Sequence, residues 1–183
     1  MKKGFLFALV VLLAACNSKK PGSNDSTTPG NATTQMKDIN SPYPVNYSSK
    51  FVMDDPKNAE TLLSLWKDWD NGDLSKSRDK FADTIEMHFS DGTIFKGSRD
   101  SILADGQRMR NTMKNVESRV DAIMAVKSTD KNEAWACLWG MEKSTDAKGK
   151  TDSSFVQETW RFDTSGRANL MYQFRAAPPK PMK

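Results

Sequence analysis

The feature that most constrains the fold is a change of period along the chain. From Ala59 to about Met113 apolar residues recur at intervals of three and four, interrupted once near the middle. From Val116 to Ala176 they recur at every second position, in four runs separated by turn sequences. A spacing near 3.6 places apolar side chains on one face of a helix, and a spacing of two places them on one face of a strand. A chain that changes from one to the other must lay amphipathic helices on a sheet, which is an α+β layout.

The local signals agree with that layout. Asp55-Pro56 opens the first helix with an acid followed by proline at the first helical position. Ala59, Leu62, Leu63, Trp66 and Trp69 follow at helical spacing until Asn71-Gly72 stops the run. A short second helix is expected over residues 75–81. Residues 84–89 then alternate, with Ile85, Met87 and Phe89 on one face and Glu86, His88 and Ser90 on the other. Asp91-Gly92 is a tight-turn signal, and residues 93–96 return as a partner strand. Gly97-Ser98 opens a third helix expected to run to Met113, with Ile102, Leu103, Gly106, Met109 and Met113 as its stripe.

In the period-two region, Val116, Val120, Ala122, Met124 and Val126 share one face. The next run alternates large residues (Trp135, Cys137, Trp139, Met141) with small ones (Ala134, Ala136, Gly140), which puts the large ones toward the core. Residues 153–163 and 167–176 form a last pair around Thr164-Ser165-Gly166.

The N-terminus has a different chemistry. Lys2 and Lys3 precede an apolar run from Phe5 to Leu13, too short for a full membrane span, and Leu13-Ala14-Ala15-Cys16 resembles a bacterial lipobox. This reading removes residues 1–15 as a signal peptide and attaches the mature chain to the membrane through lipid on Cys16. Several acyl chains act as more than one anchoring signal. Asn17 rather than Asp departs from the inner-membrane retention signal of enteric bacteria, so the expected site is the outer membrane of a Gram-negative cell, facing the periplasm. Residues 16–49 are rich in Ser, Thr, Asn, Pro and Gly and read as a tether, because they carry too little apolar surface to offset the entropy of ordering. The domain is expected over 50–183.

Charge and cysteine content narrow the partners. The chain has 27 Lys+Arg and 23 Asp+Glu. Six of the lysines and two of the aspartates lie in the first 50 residues, so the domain is electrically balanced. It lacks the concentrated basic footprint that nucleic-acid binding requires. With Cys16 committed to lipid, Cys137 has no disulfide partner and reads as a packed strand residue. One histidine and two cysteines exclude a Cys/His metal site by count, and no cofactor is implied.

Phe81-Ala82-Asp83 leading into Ile85-Glu86-Met87-His88-Phe89, then Asp91-Gly92, Phe95-Lys96-Gly97 and Ile102, in this element order, resembles the NTF2-like superfamily. Within it the chain is most similar to SnoaL-like proteins, where a small-residue/Asp stretch ends the second helix and a Gly-to-Ile pattern opens the third. The resemblance covers residues 54–177. It implies an NTF2-like cone, with three N-terminal helices packed on a curved, mostly antiparallel sheet around an apolar cavity. It also implies a possible homodimer through the outer sheet face. The superfamily hosts isomerases, dehydratases, cyclases and non-catalytic binders, so function has to be argued from the site.

Two sets of residues are candidates. Trp66, Trp69, Trp135, Trp139, Trp160 and Tyr172 are the aromatic supply for a pocket wall, or for ordinary core packing. His88 can exchange a proton near neutral pH, and Glu86 lies two residues away on the same strand face. Glu158 or Asp121 could add a carboxylate. In ketosteroid isomerase-like members the base is an Asp late in this strand; the corresponding place here falls near Phe89, which cannot transfer a proton. The scytalone dehydratase-like arrangement needs more than one histidine. The expected function is therefore an envelope-anchored pocket domain for a small apolar or amphipathic ligand or a partner peptide. The alternative is a SnoaL-like isomerase, dehydratase or hydrolase using His88 with Glu86, and the third reading is an accessory protein that works through its surface.

Overall fold

A computed structural model describes residues 39–177. The expected signal peptide, Cys16 and most of the expected tether lie outside the described residues. The elements run β1 (Phe51–Met53), α1 (Lys57–Asn71), a short 3-10 helix (Leu74–Lys80), β2 (Phe81–His88), β3 (Ile94–Ser98), α2 (Arg99–Arg110), β4 (Met113–Ser128), β5 (Glu133–Asp146), β6 (Thr151–Phe162) and β7 (Ala168–Ala176).

The helix boundaries follow from their caps. The Asp55 carboxylate accepts the Lys57 backbone N–H at 2.9 Å, and Gly72 ends α1 at φ 77°, a left-handed conformation that glycine adopts without steric cost. Asp73 caps the 3-10 helix through Ser75 N–H, and Ser98 caps α2 through Ser101 N–H. Among the described residues α1 and the 3-10 helix precede β2 and α2 follows the β2–β3 hairpin, the order of helices and hairpin read from the sequence. Two of the three helices thus stand before the first strand pair, and the third stands between it and β4. Phe81-Ala82-Asp83 is already strand rather than a helix end, because the 3-10 helix closes at Lys80 and Phe81 is extended.

The seven strands of the described residues form one curved sheet in the order β1-β4-β5-β6-β7-β2-β3. Every neighbouring pair is antiparallel except β2 with β7. The helices cover one face, called inner below, where Leu62, Ile85 and Leu138 are fully buried with Phe81, Trp160 and Phe162 around them. Among the described residues, β1 was not foreseen; it adds three residues to the edge of β4.

One irregularity decides which residues point inward on β4. The β4–β5 register shifts between Val120 and Ala122, so the bulge reverses the alternation beyond it. Val116 is buried, but past the bulge Ile123 and Ala125 face inward while Met124 is turned outward. The expected face through Ala122, Met124 and Val126 is corrected accordingly.

Candidate functional site

The helix-covered face of the sheet does not close completely. Between α1, the 3-10 helix, α2 and the inner faces of β2, β6 and β7 lies a cavity of about 550 Å³. That is within the range of small-molecule sites. Its walls are apolar, with Leu65, Phe81, Met87, Phe89, Phe95 and Ile102 among them. Aromatic and branched side chains reach it because β2 points Phe81 and Met87 inward and α1 and α2 present their apolar stripes.

Its polar floor comes from strands β5 to β7. Glu158 on β6 is 6% exposed, and its Oε2 accepts two indole N–H donors, Trp66 at 2.6 Å and Trp160 at 2.8 Å. Its Oε1 accepts the Gln173 amide at 2.8 Å, directly across the β6–β7 pair. Glu142 on β5 is 7% exposed; it accepts Trp69 Nε1 at 2.9 Å and is paired with the Arg175 guanidinium. In register Glu158 lies opposite Leu138, so Glu142 stands two inward-facing positions further along β5. Trp66 and Trp69 lie one helical turn apart on α1, and each donates to one of these two carboxylates. Buried carboxylates require such donors, since an unsatisfied one costs several kcal/mol, on the order of 1–3 or more.

The residues singled out from the sequence divide between the two faces. Trp66, Trp69 and Trp160 line the cavity. Trp135 and Trp139 stand on the outer face instead, because β5 points its small residues inward. A Cβ on Gly140 would meet the Trp66 ring at 3.1 Å and the Arg119 carbonyl at 2.4 Å, so the inward position there has room only for glycine. Trp135 is covered from outside by Tyr47, which packs edge-on at 5.7 Å and accepts the Trp135 indole N–H at 3.0 Å. Burial, with the Glu133 carboxylate beside it, raises the Tyr47 phenol above its ordinary pKa. Tyr47 and Ser48, inside the stretch read as tether, thus bond to Glu133 and Asp130 of the domain.

His88, Glu86 and Tyr172 form a second cluster, also on the outer face. His88 Nε2 lies 2.7 Å from Glu86 Oε1, and its ring packs against Tyr172 with centroids 4.8 Å apart and the ring planes tilted by 33°. Lys96 on β3 pairs with the other Glu86 oxygen at 2.8 Å. The Lys96 hydrogen bond, and then that of His88, holds the Glu86 carboxyl below its usual range. The acid–histidine pair therefore forms, but it lies on the opposite side of the sheet from the cavity. Asp121 lies outside as well, paired with Arg119. Cys137 stands on the outer face, and burial raises its thiol above the ordinary value.

Glu142, Gln173 and Arg175 had no signal in the size pattern of the strands. Their one trace is parity, since each shares an inward position with a buried apolar neighbour: Leu138 on β5 and Met171 on β7.

An α1 and α2 pair lying over a curved, mostly antiparallel sheet, with a cavity between them, defines the NTF2-like fold. Solved structures agree in this respect. The chain is similar to a putative SnoaL-like polyketide cyclase from Shewanella denitrificans at 12% identity and TM-score 0.56, covering 67% of this chain and 92% of that one. It is similar to an LEH-like epoxide hydrolase from M. tuberculosis at 11% identity and TM-score 0.55, covering 66% and 83%. An NTF2-like protein of unknown function from Burkholderia pseudomallei matches at 16% identity and TM-score 0.51, covering 64% and 88%. At such identities the likeness shows the fold alone. No family model and no curated protein sequence matches the chain.

Proposed function

We propose that this protein is an envelope lipoprotein whose NTF2-like domain binds a small, mainly apolar molecule in the cavity between α1, α2 and the sheet. Lipid on Cys16 holds it at the outer membrane. One observation carries the reading: a cavity of about 550 Å³ with apolar walls and a floor of two buried, hydrogen-bonded carboxylates. Apolar walls supply affinity, and a few fixed polar groups supply orientation. Glu142 and Glu158 each keep lone pairs free for a donor on the ligand, because a carboxylate has about four acceptor sites. The test is binding of an uncharged apolar dye, Nile red, to the purified protein. Saturable binding that is lost in Met109→Trp, at an exposed cavity-rim position, and kept in His88→Ala supports the reading. Absence of saturable binding overturns it.

A catalytic reading is favoured by the same floor rather than by His88. Glu158 has the burial and hydrogen-bond donors expected of a held general base, and two of the fold's relatives are called a polyketide cyclase and an epoxide hydrolase. In this reading Glu158 takes a proton from water or a substrate hydroxyl, and Arg175 beside Glu142 faces the negative charge that develops. Diol formation from an apolar epoxide panel, absent in Glu158→Gln, is its test. Self-association belongs to the outer face, where Phe174 is 58% exposed, and sedimentation of Phe174→Glu tests it.

A further inference from the structure

We infer that the ligand of this cavity carries a positive charge: an organic amine or ammonium group on an apolar body. The inference rests on the cavity-binding reading and adds the class of molecule to it. Five charged side chains line the cavity, the carboxylates of Asp91, Asp105, Glu142 and Glu158 and the guanidinium of Arg175. Arg175 is committed to Glu142, and Asp105 pairs with Arg108 at the rim. Asp91, in the β2–β3 turn, accepts the Thr93 N–H at 2.8 Å.

Asp91 is exposed to water, whereas Glu158 is a buried carboxylate that needs a partner. It is buried, and its three donors, two indoles and an amide, are neutral, so hydrogen bonding is satisfied while charge is not. A buried charge is ordinarily matched by an opposite one, because attraction and repulsion are both strong where water is excluded. A metal ion does not fit the role, since it needs several ligating groups together and the described residues offer no such cluster.

The walls point the same way. Trp66, Trp69 and Trp160 all border the space, and indole faces attract cations. An indole that donates its N–H to a carboxylate becomes more electron-rich, which strengthens that attraction. An anionic ligand would instead meet the Glu158 charge in a medium that screens it little.

The experiment compares three eight-carbon probes on the full-length protein by titration calorimetry at pH 7: octylammonium, 1-octanol and octanoate. Octylammonium is expected to bind about tenfold more tightly than octanol, with octanoate weakest. Glu158→Gln is expected to abolish the preference for the amine over octanol. Octanol binding as tightly as octylammonium to the unaltered protein overturns the inference and leaves the cavity reading standing. Failure of all three probes together with failure of Nile red overturns both. The probe comparison on the unaltered protein stands by itself if Glu158→Gln does not fold.

Discussion

Two glutamates of this domain sit on strands of the same sheet and differ in nearly every physical respect. Glu86, on the outer face, keeps a side chain 31% exposed and is held by one cation, Lys96 at 2.8 Å, and by His88 at 2.7 Å. Glu158, on the inner face, is buried, and neutral N–H groups hold it. The outer arrangement is satisfied by itself and screened by water, so it asks nothing of a ligand. The inner one is held by hydrogen bonds and open in charge, beside the cavity. Side-chain identity and strand position do not separate these two cases; the face does. The acid–histidine pair that draws the eye in the sequence is the less demanding of the two sites.

The comparison breaks first if the inner face does not carry the stability. Leu138→Ala, at a fully buried inward position on β5, is expected to cost about 2–5 kcal/mol in urea unfolding. Met124→Ala, turned outward by the bulge and 36% exposed, is expected to change stability by about 0.5 kcal/mol. Equal costs would mean that the bulge does not turn Met124 outward. Gly140→Ala comes next. Its methyl would meet a backbone carbonyl at 2.4 Å, and backbone cannot swing aside as a side chain can. A loss of about 1–3 kcal/mol is expected, with a change in the emission of Trp66, whose ring borders the same space. A neutral Gly140→Ala would show that β5 can shift its register or face, and the assignment of Glu142 to the cavity floor would fall with it.

These two positions also show where the sequence could be read and where it could not. α1 was legible because Pro56 and Gly72 act through backbone sterics, whatever the rest of the chain does. The β2–β3 hairpin was legible for the same reason: Gly92 takes φ 86°, as the Asp91-Gly92 turn requires. The NTF2-like fold was legible from element order. The face of β5 was not, because side-chain size predicts burial only when nothing else competes for the inside. Trp66 fills the space above Gly140 from the helix, which leaves Trp135 and Trp139 to the outer face. The bulge in β4 was invisible too, since no glycine or proline marks the step between Val120 and Ala122. The cavity floor followed from those two facts. Of its four polar residues, only Glu158 drew notice in the sequence.

The outer cluster gives the smaller effects. His88→Ala removes a half-buried pair and a ring contact, for an expected loss of about 0.5–1 kcal/mol, and it leaves Nile red binding unchanged. A loss of dye binding would couple the two faces and remove the distinction between them.

The finest test is pH dependence. The folded-state pKa of Glu86 is lowered, so its ionised form is favoured by folding. Its contribution is therefore present above the ordinary glutamate range, near 4.3, and fades as pH falls through the lower folded value. Urea midpoints of the unaltered protein and Glu86→Gln, measured from pH 6 down to pH 3, should differ most at the upper end and converge toward the acid end. The group is open to solvent, so the gap should also narrow in 1 M salt, where screening reaches within about 3 Å. A gap that widens on acidification would reverse the sign. It would mean that protonated Glu86 is the form the fold prefers, and that the outer cluster is less open to solvent than its exposure indicates.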